Sequence, residues 1–106
     1  MSENKIKSSR NPQIIQDWIE RRGGFPAISR AGMTTPRLGI HFPGYADKGA
    51  LEEIPWDRFF ALFRAEHLTF YYQERATTGR ISRFYNFKLA SRLKRRLSYE
   101  LVKHRG

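Results

Sequence analysis

The residues with the most chemistry to offer in this chain are aromatic and basic. Tyr71 and Phe84 stand in two segments of alternating character, LTFYYQE (68–74) and ISRFYNF (81–87), joined by the turn-like ATTG. If residues 76–79 form a four-residue loop, Tyr71 falls opposite Phe84 and Phe70 opposite Tyr85. One face then carries Leu68, Phe70, Tyr72, Ile81, Tyr85 and Phe87 and must be core. The other carries Thr69, Tyr71, Gln73, Arg75, Arg80, Ser82, Phe84 and Asn86, and a one-residue slip would exchange the two. Rings on an open sheet face stack unpaired bases at roughly 1–3 kcal/mol per base, while arginines hold phosphates. A competing arrangement lays the last helix over this face and turns both rings into core.

Other chemistries find less support. His41, His67 and His104 have no ligand-type spacing, so no metal is expected. No glycine-rich loop leads from a strand into a helix, and no nucleophile stands beside a base. Glu52, Glu53 and Asp57 read as charges at a helix start rather than as a general acid and base. Neither a catalytic site nor a cofactor is expected.

Charge points the same way as the aromatic pair. The chain holds 20 Lys and Arg against 10 Asp and Glu, a net charge of +10. The excess lies at the C-terminal end, where Arg80, Arg83, Lys88, Arg92, Lys94, Arg95, Arg96, Lys103 and Arg105 face one acid, Glu100. Such a region attracts phosphate backbones, anionic lipid or an acidic protein surface. A solvated tail that keeps the protein soluble is the plainer alternative.

These residues need a scaffold, and its centre is LEEIPWDRFFALF (51–63). Trp56, Phe59, Phe60 and Phe63 fall at i, i+3, i+4 and i+7, stacking four rings on one helical face. Each full burial contributes roughly 2–3 kcal/mol, so the stripe reads as core. Pro55 suits the first helical turn. An earlier helix starts at Asn11-Pro12, buries Ile14, Ile15, Trp18 and Ile19, and stops at Gly23-Gly24. Strands follow at 26–30 and 37–42. The last segment, 88–104, reads as a basic amphipathic helix with a stripe of Leu89, Leu93, Leu97 and Leu101. Residues 1–10 are polar and are expected to be disordered. The two helix-plus-strand-pair blocks are similar in length, a hint of a pseudo-repeat.

The segments IQDWIERRGGFPA, LGIHFPGY, LEEIPWDRFFALF and TGRISRF, in this order, resemble a family of small bacterial proteins of unknown function. Its members often carry the label 1,4-alpha-glucan branching enzyme. The likeness covers roughly residues 11–88 and implies a compact domain with no assigned catalytic residues. The labelled reaction needs a carboxylate pair flanking the sugar bond on a scaffold such as a (β/α)₈ barrel of about 250 residues. A chain of 106 residues does not supply that barrel. It also departs from the family pattern: Pro55 replaces a serine cap, Gly39 and His41 replace an arginine and an aspartate, and the basic helix is an extension.

The expectation is therefore a single α+β domain over 11–106, after a polar arm at 1–10. Its small, mainly antiparallel sheet has about four strands in two pairs, packed by two to three helices. The leading function is nucleic-acid binding with low sequence specificity. Arg75, Arg80, Lys88, Arg92, Lys94, Arg95, Arg96 and Lys103 would meet phosphates, and Tyr71 and Phe84 would stack on bases. The alternative is a protein-interaction module whose basic helix docks on an acidic partner or within a larger assembly. The absence of cysteine fits the cytoplasm, and no stretch approaches the ~20 apolar residues of a membrane span.

Overall fold

The computed structural model describes residues 5–30, 36–45 and 50–90. The elements are β1 (Ile6–Ser9), α1 (Pro12–Arg21), β2 (Phe25–Ser29), β3 (Arg37–His41), β4 (Glu52–Glu53), α2 (Trp56–Ala65), β5 (Leu68–Gln73) and β6 (Tyr85–Leu89). Every pairing is antiparallel, in two three-stranded sheets ordered β1-β5-β6 and β3-β2-β4. The fold is α+β, with the two expected hairpins each extended by one further strand. The chain runs strand, helix, hairpin twice, and each half gives its first strand to the other half's hairpin: β1 pairs with β5, and β4 with β2. Neither sheet belongs to one half alone.

Both added strands correct the sequence reading. Residues 1–10 were expected to be disordered, yet Ile6–Ser9 lies along β5, with Ser8 beside Tyr71. Its ladder to β5 is a backbone ladder, so its polar side chains gave no signal. Glu52 and Glu53 are not helix-start charges; they pair with Ile28 and Ala27. Pro55 is the N-cap of α2, with φ −66° and ψ 155°, rather than a residue of its first turn. A proline holds its predecessor extended, which keeps residues 52–54 out of the helix. Asp57 alone carries negative charge in the first turn of α2.

Helix α1 begins and ends for local reasons. The Asn11 side chain accepts the Gln13 N–H at 2.9 Å, and Pro12 fills the first helical position. At the other end Gly23 adopts φ +70°, its N–H reaching Glu20 O and that of Gly24 reaching Ile19 O, both at 3.0 Å. These two bonds make the Schellman closure that satisfies orphan helix carbonyls. Gly24 is constrained by space instead: a Cβ there would sit 2.7 Å from Phe42 and 2.9 Å from Ile40.

The core gathers Ile15, Trp18 and Ile19 from α1 and Phe59, Phe60 and Phe63 from α2. They meet Ile28, Ile40, Phe42, Ile54, Phe70 and Tyr72 from the two sheets and the segments beside them. Trp56 is only half-buried and stacks on Phe60 at 5.5 Å. Trp18 touches Phe42 beyond β3, and Phe70 and Tyr72 on β5. Its indole N–H donates to Gln73 O at 3.1 Å. Tyr85 ties the sheets together, its hydroxyl accepting the Ile40 N–H at 3.2 Å.

The β5–β6 hairpin steps twice. Within the strands Phe70 faces Phe87 and Tyr72 faces Tyr85, two residues from the expected register. One residue of this shift arises at the turn, where Arg75 bridges Ile81 and Ala76 N–H bonds Arg80 O at 2.8 Å. The second lies in residues 82–84, where the Ser82 hydroxyl accepts the Phe84 N–H at 3.1 Å. A single step exchanges the faces and a second restores them. The exchange is seen between the steps: Ile81, expected in the core, is 54% exposed, and Ser82, expected outside, is 7% exposed.

Arg22 grips this neck. Its side chain is 4% exposed. It donates to Ser82 O, to Trp18 O at 3.0 Å, to Glu74 O at 2.9 Å and to the Glu74 carboxylate at 3.1 Å. Removing it takes one donor from each of three carbonyls and from the one-third-exposed Glu74 carboxylate, so Arg22→Ala should lose about 1–3 kcal/mol in urea unfolding. Arg22→Lys should recover only part of this, because a compact ammonium lacks the planar fork that spans these acceptors.

Gly24→Ala should cost about 1–3 kcal/mol by the same measurement, because Phe42 and Ile40 are core side chains with little room to move. A variant that unfolds like the parent would show that the α1–β3 contact is looser than its geometry indicates.

Candidate nucleic-acid interface

Alternation along β5 sends Phe70 and Tyr72 into the core and Tyr71 to the opposite face. Both helices pack on the inner face, Trp18 of α1 against Phe70 and Tyr72, and Phe59 and Phe63 of α2 against Phe87. The outer face is therefore built from Ile6 and Ser8 on β1, Thr69, Tyr71 and Gln73 on β5, and Asn86 and Lys88 on β6. Among the described residues it contains no acidic side chain.

Tyr71 is half-exposed at the centre of this face, between Ser8 on one side and Asn86 on the other. The Lys88 ammonium stands 5.5 Å from its ring centroid. Thr69 lies opposite Lys88. Arg10, just past β1, reaches the same end of the sheet and donates from Nε to Leu68 O at 3.2 Å. Lys88 thus stands at the ring itself, and Arg10 at the end of the sheet beyond it.

The expected ring of partners around Tyr71 changes accordingly. Phe84 is 49% exposed, but it precedes β6 and does not face Tyr71, whose cross-strand partner is Asn86. The two rings are not a pair, because the step at residues 82–84 moves Phe84 out of the ladder. Arg75 and Arg80 sit in the turn, with Arg75 donating to Gly79 O at 3.0 Å. Four residues of extended chain, about 13 Å, separate Arg75 from Tyr71. Of the named residues Tyr71, Lys88 and Asn86 come together, and Arg75, Arg80 and Phe84 lie toward the other end. The helix expected at 88–104 does not begin at Lys88, because Lys88 and Leu89 end β6, paired with Thr69 and Leu68. Arg92, Lys94, Arg95, Arg96 and Lys103, with the rest of that segment beyond Ala90, lie outside the described residues.

Sequence reasoning missed Ser8 and Arg10, because a polar four-residue edge strand has no hydrophobic period to detect. It also missed Arg22 as a structural cation. Burial lowers the Arg22 guanidinium below its ordinary pKa, against the opposing hydrogen bond and charge of Glu74. Burial raises the Tyr72 hydroxyl, with Glu74 adding to it. Both groups belong to the inner side of the sheet and its neck. Another cation–aromatic pair, Arg83 over Tyr45 at 4.2 Å, lies beside the loop after β3.

Among the described residues no three His, Asp or Glu side chains gather to hold a metal ion, and no helix is long and apolar enough to cross a membrane. No family model, curated protein or solved structure matches the chain.

Proposed function

We propose that this chain is a binding module for nucleic acid with low sequence specificity, not an enzyme, and that it acts in the cytoplasm. The observation that carries the reading is Tyr71 at the centre of an acid-free sheet face with Lys88 beside its ring. An aromatic side chain left on the open side of a sheet offers a stacking platform, and cations around it neutralise phosphate. The net charge of +10 and its concentration beyond residue 79 supply the long-range attraction. Lys88, Arg92, Lys94, Arg95, Arg96 and Lys103 take the phosphate contacts in this reading, with Arg75 and Arg80 at the far end of the hairpin. The lack of cysteine suits a reducing compartment.

The same concentration of charge favours a second reading, in which residues 88–104 dock on an acidic protein surface. Salt dependence separates the two. Neutralising about five phosphates on duplex DNA gives a log–log slope of about −4.5. Changing Arg92, Arg95 and Arg96 together to Gln should flatten it by about 2–3 units, with the melting temperature unchanged. No complex at low salt, or a parent slope near zero, removes the nucleic-acid reading and leaves the acidic-partner reading standing.

A further inference from the structure

Strand β1 changes what the outer face is able to recognise. Without it Tyr71 would stand on an edge strand; with it, Tyr71 occupies the central strand and has neighbours on both sides. Those neighbours are small and polar: Ser8 on β1 and Asn86 on β6, directly opposite the ring in register. One step toward the end of the sheet the neighbours become cationic, Lys88 on one side and Arg10 on the other. Two strand spacings, roughly 10 Å, separate β1 from β6 across the ring.

We infer that this face is a single-base stacking site that selects unpaired nucleic acid, with Tyr71 as platform, Ser8 and Asn86 at the base edge, and Arg10 and Lys88 on the adjoining phosphates. The inference rests on the nucleic-acid reading and narrows its substrate to single strands. Three features argue for it. The residues directly opposite the Tyr71 ring, Ser8 and Asn86, are short, so the side chain lying over it is the movable Lys88. The hydroxyl of Ser8 and the amide of Asn86 each donate and accept hydrogen bonds, so they suit any base edge and enforce little sequence preference. Lys88 already associates with the ring at 5.5 Å, and its flexible stem lets the ammonium move to a phosphate when a base takes its place. A duplex cannot use such a site, because its bases are stacked on one another and it offers only phosphates to a sheet face.

The test is fluorescence anisotropy of the full chain with a short labelled oligothymidylate and with a DNA duplex of equal length. The parent should favour the single strand. Tyr71→Ala should weaken single-strand binding about tenfold and leave duplex binding within about twofold, since phosphate contacts do not need the ring. Tyr71→Phe keeps the ring and should stay close to the parent, which also guards against a fold defect in the alanine variant. Arg10→Gln with Lys88→Gln should shrink the single-strand salt slope by about 1.4 units, about 0.7 for each phosphate. Equal losses on both ligands, a phenylalanine variant as weak as the alanine one, or an unchanged slope would overturn the inference. A parent that binds duplex as tightly as single strand overturns it too, yet leaves the nucleic-acid reading intact. A parent that binds neither removes both.

Discussion

The fold depends on two side chains one helical turn apart, Trp18 on α1 and Arg22 at its C-cap. Trp18 is fully buried, with Phe42 just past β3 and Phe70 and Tyr72 on β5 as ring neighbours and its one polar atom bonded to Gln73 O. Arg22 lies over it at 4.2 Å and carries a positive charge into the same place. A buried guanidinium is costly unless its donors are met, and here Ser82, Trp18 and Glu74 meet them, one with a full negative charge. The ring and the cation act as one unit that binds helix, central strand and hairpin neck.

That unit reaches the face proposed for binding. By holding Glu74 and Ser82 together, Arg22 stabilises the neck between the two register steps of the β5–β6 hairpin. Beyond the second step Tyr85 and Phe87 return to the inner side, where they meet Phe70 and Tyr72, and Asn86 and Lys88 return to the outer side beside Tyr71 and Thr69. A hairpin with only one of the two steps would bury Asn86 and Lys88 and expose two rings. The composition of the outer face is thus linked to a contact on its inner side.

The exchange of first strands between the two halves adds a second coupling. β1 makes Tyr71 central, and β4 closes the other side of β2, where Ile54 N–H bonds Pro26 O at 3.0 Å. Pro26 is unusual in a central strand because it has no N–H to give. It is accommodated beside β4, which spans only Glu52 and Glu53. Each sheet is completed by a segment from the far half of the chain, so the core and the outer face form together.

The sequence by itself determined the features that depend on neighbours along the chain. Asn11-Pro12 and Gly23-Gly24 delimit α1 because caps and left-handed closures are local chemistry. The 3.6-residue stripe of Phe59, Phe60 and Phe63, and the alternation through Phe70, Tyr71 and Tyr72, assigned core and surface because a helix or strand presents its side chains at fixed periods. The tertiary structure alone decided β1 and β4, because backbone ladders form with little regard to side-chain type, and Ile6–Ser9 and Glu52–Glu53 bury almost nothing. It also decided the hairpin register, since the residue that grips the neck, Arg22, lies 52 positions before Glu74 and 60 before Ser82. The surroundings of Tyr71 follow from both. Its face could be read from a period of two, but its partners Ser8, Asn86, Arg10 and Lys88 were fixed by pairings between distant segments that no local pattern encodes.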